Sequence, residues 1–154
     1  MDTLNIINRD NTVLQYATEH SAGVDLYLTG ISETITIGNS LDAETVVGYM
    51  YNTGVFVEIP QGHFGMLVLR SSAAKRGIAL LNSAGIIDSD YRGELKAMLS
   101  YLKTPSVEIT DFSKPYLQLV IMPYTRCVIT PVETLTYTVR GTGGFGSTDT
   151  TRQQ

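Results

Sequence analysis

Asn82 to Leu99 reads NSAGIIDSDYRGELKAML, and the rest of the chain is organised around it. Ile86 and Ile87 run up to Asp88, and beyond the turn Leu95, Ala97 and Leu99 alternate with Glu94, Lys96 and Met98. That period of two is the pattern of a half-buried strand. The stretch therefore predicts a hairpin whose arms flank Asp88-Ser89-Asp90-Tyr91-Arg92-Gly93. Asp and Gly supply turn chemistry, but two carboxylates and a tyrosine exceed what a turn requires. The residues alone leave two readings open: a solvated loop opened by an Asx-turn, or a loop holding something polar.

Outward from this stretch the chain is punctuated by turn signals at short intervals. Ala22 to Leu28 has strand character around one carboxylate, Asp25, which follows a small-small pair and reads as an ordinary strand-entry residue. Ile31 to Ile37 is a β pattern broken at Gly38-Asn39-Ser40, and Leu41 to Tyr51 (LDAETVVGYMY) invites the reading of a protruding hairpin. Asn52 to Pro60 and Gln61 to Leu69 form strands around a Pro-Gln-Gly turn, Ser100 to Ile109 and Lys114 to Tyr124 form two more, and Cys127 is expected to be a buried strand residue. Ala73 to Gly77 is the only good helix candidate. Many short strands with frequent turns predict an all-β sandwich, barrel or jelly roll.

At 154 residues the chain fits one domain able to bury a core without staples. One cysteine rules out an internal disulfide, and two distant histidines give no zinc-ligand spacing. No apolar run reaches the roughly 20 residues of a membrane span, and Met1-Asp2-Thr3-Leu4-Asn5 lacks the start of a signal peptide. A cytoplasmic location is expected, or a nuclear one in a eukaryotic cell, or the host cytoplasm for a viral protein. A net charge of -4 argues against generic nucleic-acid binding, which needs a basic face. It does not oppose a free nucleotide, for which a few placed cations and a metal ion suffice.

Three further stretches carry chemistry. Arg70-Ser71-Ser72-Ala73-Ala74-Lys75-Arg76-Gly77 has the hydroxyls and cations of a phosphate-holding turn, or of a solvated basic one. Gln118 is the polar side chain inside Tyr116 to Ile121 and is either structural or ligand-facing. Arg140-Gly141-Thr142-Gly143-Gly144-Phe145-Gly146-Ser147-Thr148 satisfies G-x-G-x-x-G as a string, but Asp149 to Gln154 is too short to be the helix that motif requires. A floppy glycine-rich tail needs neither an arginine, an aromatic nor paired hydroxyls, all of which suit an arm that orders over a nucleotide.

Taken in order, Ala22 to Leu26, Arg70 to Ser72, Asn82 to Gly93, Gln118 and Arg140 to Thr148 resemble the five motifs of the trimeric dUTP pyrophosphatases, the dUTPases. The residues upstream of Gln118, Ser113 and Lys114-Pro115, depart from that pattern, which has Gly and Arg there. The resemblance implies a distorted jelly roll assembled as a homotrimer, with residues 1–137 as the domain and 138–154 as a C-terminal arm. It implies hydrolysis of dUTP to dUMP and pyrophosphate with Mg2+. Asp88 becomes the catalytic base, and Asp25 the aspartate that holds magnesium through water. Arg70, Ser71, Ser72 and Gln118 face the phosphates. Asn82, with Gly85, Ile87 and Met98 beside it, takes the uracil, and Tyr91 lies beneath the sugar. Arg140, Phe145, Gly146, Ser147 and Thr148 belong to the arm, with Phe145 on the base. Two alternatives stand beside this: a dUTPase-like trimer kept for protein contacts through residues 41–51, which are longer than the family's connection there and read as an insertion, and a dCTP deaminase. The second requires a glutamate where Met98 stands, and methionine cannot shuttle protons.

Overall fold

The computed structural model describes residues 2–10, 12–37, 45–102 and 108–144. Two antiparallel sheets enclose the core, as an all-β jelly roll requires. The first holds β1 (Asn5–Asn8), β4 (Thr45–Glu58), β8 (Glu94–Tyr101) and β6 (Ile78–Leu80) in the order β1-β4-β8-β6, with β3 (Gly30–Ile37) also paired to β4. The second runs β2 (Gly23–Tyr27), β9 (Pro115–Pro123), β5 (His63–Leu69), β7 (Gly85–Ile87). Leu95, Ala97 and Leu99 from the first sheet meet Leu26, Leu67, Leu117 and Leu119 from the second. Glu94, Lys96 and Met98 consequently face outward, as their alternation predicts. Among the described residues no helix is long and apolar enough to cross a membrane.

The expected hairpin of Asn82 to Leu99 does not form. Its arms belong to different sheets: β7 pairs with β5, Gly65 facing Ile87, while β8 pairs with β4 and β6, Leu80 facing Leu99. Periodicity tells which face of a strand is buried but not which strand lies beside it. Residues 88–93 are a crossing between sheets, which leaves their polar side chains uncommitted to strand pairing.

Other expectations shift more modestly. The helix, α1, is Ser71–Lys75, two residues earlier than Ala73 to Gly77, because Gly77 takes a φ of +78° and cannot continue it. Of the Leu41 to Tyr51 stretch, Leu41 to Glu44 lie outside the described residues, and Thr45 to Tyr51 form the β4 arm of a β3–β4 hairpin. β8 stops at Tyr101, and Ile109 is buried without being in a strand. Cys127 is exposed, because regular pairing ends at Pro123 and Tyr124 to Gly144 carry neither strand nor helix.

Ile109 is held by Tyr51, whose buried phenol oxygen accepts the Ile109 N–H at 2.6 Å while Phe112 packs edge-on against its ring. Tyr51→Phe strands that buried N–H and should lower unfolding stability by about 1–3 kcal/mol, measurable by denaturant titration. Burial also pushes the Tyr51 phenol above its usual value of 10.0. A raised folded value favours the neutral form, so this contribution is whole below the unfolded pKa and is lost as pH climbs through the folded one.

Candidate functional site

One cluster forms where the Asn82 to Gly93 segment lies over the outward face of β4 and β8. Asn82, Ile87, Asp88, Tyr91 and Met98 line a cleft of about 340 Å³. Its entry turn is tight: Ser83 takes a φ of 62°, and the Ala84 N–H donates to the Asn82 carbonyl at 2.6 Å. Gly85 is held against β5 opposite Leu67. The Tyr91 N–H donates to the Asp88 carbonyl at 3.1 Å, closing the turn, and the Arg92 guanidinium donates to the carbonyls of Ser89 and Tyr91. Arg92 is itself anchored to Glu58 at 3.4 Å. Main-chain bonds therefore fix this loop and leave the Asp88 carboxylate, exposed, with no hydrogen bond among the described residues.

The cleft also holds polar and flexible residues that no sequence motif marks, Glu94, Lys96 and Met50. The first two share Met98's face of β8, so the period of two could have found them. Met50 could not be found that way, since only the register of β4 on β8 sets it opposite Met98.

A second cluster sits at the far end of the other sheet. Arg70 Nε lies 2.9 Å from Asp25 Oδ1, with both side chains partly buried. Gln118 is directly opposite Asp25 in the β2–β9 ladder, and its Nε2 donates to the Leu69 carbonyl at 3.4 Å. Gly23 makes room for it, because a Cβ there would come within 2.8 Å of the Gln118 Oε1. Ser71 and Ser72 are exposed in the first turn of α1, next to Arg70. Arg76 is turned away, stacked on Tyr116 and donating to the Ser72 carbonyl.

The chain does not bring these two clusters together. Gly65 faces Ile87, so Asp88 lies beside the start of β5, whereas Arg70 follows its end. At about 3.3 Å per residue, roughly 20 Å of strand separates them. Arg140 joins neither: it is exposed on the tail, its Nε donating to the Gly143 carbonyl at 2.9 Å. Phe145, Gly146, Ser147 and Thr148 lie outside the described residues.

A sequence model described as dUTPase matches residues 9–149. The chain belongs to the dUTPase family. It is similar to the deoxyuridine 5'-triphosphate nucleotidohydrolase of Dictyoglomus turgidum, 37% identical over 152 residues that cover 92% of this chain and 93% of that one. The corresponding protein of Methylocella silvestris is 39% identical over 134 residues, covering 86% of this chain and 80% of the other. Among solved structures, the Staphylococcus bacteriophage 80alpha dUTPase with dUPNHPP superposes with a TM-score of 0.74 at 22% identity, over 97% of this chain and all of that one. That likeness supports the jelly-roll fold of this dUTPase family member.

Proposed function

We propose that this dUTP diphosphatase works as a homotrimer, splitting dUTP into dUMP and pyrophosphate at sites that each need more than one chain. The observation behind it is the strand length that parts Asp88 from Arg70, since base and phosphate groups must meet on one nucleotide. The tail supports the same reading. Leu135, Tyr137 and Val139, alternating with Thr134, Thr136 and Thr138, have the pattern of a half-buried strand, yet they are 89%, 90% and 97% exposed. Such a strand is suited to the sheet edge of a second copy. Asp88 also stands between two clefts. It is shared by the one holding Asn82 and by a larger one, about 1070 Å³, lined by Gln61, Asp90, Arg92 and Arg126, which can admit a neighbouring chain.

In this arrangement Asn82 and the main chain of Gly85 and Ile87 read uracil, offering the donor and acceptor sequence that cytosine reverses. Met98 walls the pocket, and Tyr91 crowds the position of a 2'-hydroxyl. Asp88 takes the proton of the water that attacks the α-phosphorus, breaking the bond to the β-phosphate bridge oxygen. Arg70, Ser71, Ser72 and Gln118 of a second chain hold the phosphates, and Arg140 with residues 145–148 of a third closes over them. Asp25 suits Mg2+ that takes its other ligands from phosphate and water: it is one half-buried carboxylate, and among the described residues no group of three acidic, histidine or cysteine side chains forms a protein cage. When bound, the ion neutralises charge on the triphosphate.

Two truncations test this. A chain ended after Val139 keeps this alternating apolar segment and should stay trimeric while losing about a hundredfold in turnover. One ended after Pro123 should be monomeric and inactive. Mass by light scattering and pyrophosphate release from dUTP read both; a monomeric full-length chain with full turnover would refute the shared site.

A further inference from the structure

We propose that Glu94 is a positioning residue for Tyr91 and thereby sets how strongly the site rejects a ribose nucleotide; this rests on the dUTPase reading of the cleft. The β4–β8 ladder runs regularly from Tyr49 facing Leu99 to Asn52 facing Lys96, then slips, so that Phe56 comes to face Glu94. Thr53, Gly54 and Val55 lie opposite Leu95 alone. Such a bulge takes main-chain groups out of the ladder, and they must find other partners.

Glu94 supplies one of them. Its Oε1 accepts the Gly54 N–H at 2.7 Å, with Gly54 held at a φ of +69°. The Thr53 hydroxyl donates to the Leu95 carbonyl at 2.7 Å, and the Gly54 carbonyl accepts the Arg9 N–H. The bulge is thus anchored to β8 through the Glu94 side chain and to the β1 end through Arg9.

The main chain of the same residue anchors Tyr91, whose phenol donates to the Glu94 carbonyl at 3.0 Å. To reach it, the ring folds back across Gly93, where a Cβ would overlap the phenol. The ring is therefore placed by its bond to the Glu94 peptide, and where β8 begins that peptide is held by its pairing with Phe56 and by the carboxylate bond to Gly54 across the bulge. The bond is partly buried, and any side-chain oxygen at this position that accepts the Gly54 N–H keeps it. Releasing it lets the Glu94 carbonyl turn, the phenol follow, and the space beside C2' widen.

The test compares Glu94→Ala with Glu94→Gln, whose amide oxygen still accepts from Gly54, using dUTP and UTP with kcat and KM separated. Glu94→Ala should lower the preference for dUTP over UTP about tenfold, chiefly through KM, the scale at which an altered pocket wall shifts discrimination. Glu94→Gln should stay within about twofold of the parent. Equal losses on both substrates with an unchanged ratio, or a glutamine variant as indiscriminate as the alanine one, would overturn the proposal. If Glu94→Ala does not fold, Gly93→Ala displaces the same phenol without touching the bulge; an unchanged ratio there overturns it as well. Failure of the parent chain to hydrolyse dUTP would sink the functional reading instead. The clamp is then read alone from the Tyr91 ring signals of tyrosine-labelled protein, which must shift in Glu94→Ala and hold in Glu94→Gln.

Discussion

Asp88→Asn should lose between about a hundredfold and ten-thousandfold of dUTP turnover, the range that removal of a positioned general base produces. The same substitution should change the affinity for a non-hydrolysable dUTP analogue by no more than a few-fold. A base acts on the water's proton as the transition state forms, so the loss belongs to kcat rather than to ground-state binding. The geometry favours a clean result. Asn is nearly isosteric, and the bonds that shape the loop run through the Asp88 carbonyl and through Arg92, neither of which the change touches. The carboxylate itself has no hydrogen bond among the described residues, so removing its charge strands no buried partner. Melting temperature should therefore hold while activity collapses. Near-parental turnover in the variant would move the base to another residue.

Asp88 is legible in the amino-acid sequence because its signal is local. The surplus of polar groups in Asp88 to Gly93 over what a turn consumes, and the small, cationic run from Arg70 to Gly77, are properties of adjacent residues, and the fold leaves them adjacent. The outward set Glu94, Lys96 and Met98 is legible for the same reason, since a period of two survives whichever strand lies alongside. Pairing is not local. Ile86 and Ile87 look like the first arm of a hairpin with Leu95 to Leu99, but their apolar side chains serve another sheet, and nothing in either run states its partner. Met50 stays hidden on the same account: it enters the cleft only through the β4–β8 register, 48 positions away from Met98 in sequence. Burial of Cys127 fails as an expectation because its apolar neighbours, Val128 and Ile129, suggest an interior that the chain does not provide, and those two residues are 91% and 92% exposed. Apolar sequence marks a surface that prefers to be covered; it does not say that the same chain covers it.

On the proposed reading, Arg70→Ala, like Asp88→Asn, should be nearly inactive alone, because it removes the cation assigned to the phosphates and leaves Asp25 without its ion-pair partner. Mixed within one assembly, the two variants should restore each other. If each site takes Asp88 from one chain and Arg70 from its neighbour, the Arg70→Ala chain still brings an intact Asp88 and the Asp88→Asn chain an intact Arg70. Co-expression with two different tags and purification over both keeps only mixed assemblies, and in the proposed trimer a threefold ring of either mixed composition has both groups in place at about one site in three. Pyrophosphate release from dUTP would measure it. The expected activity is about a third of the parental value per site, far above the sum of the two variants, whereas a site closed within a single chain contains no intact copy in any mixture. Activity that stays at the sum of the separate variants would show that Asp88 and Arg70 act from the same chain, and the span of β5 between them would then have to be bridged by a rearrangement of the fold rather than by a second copy.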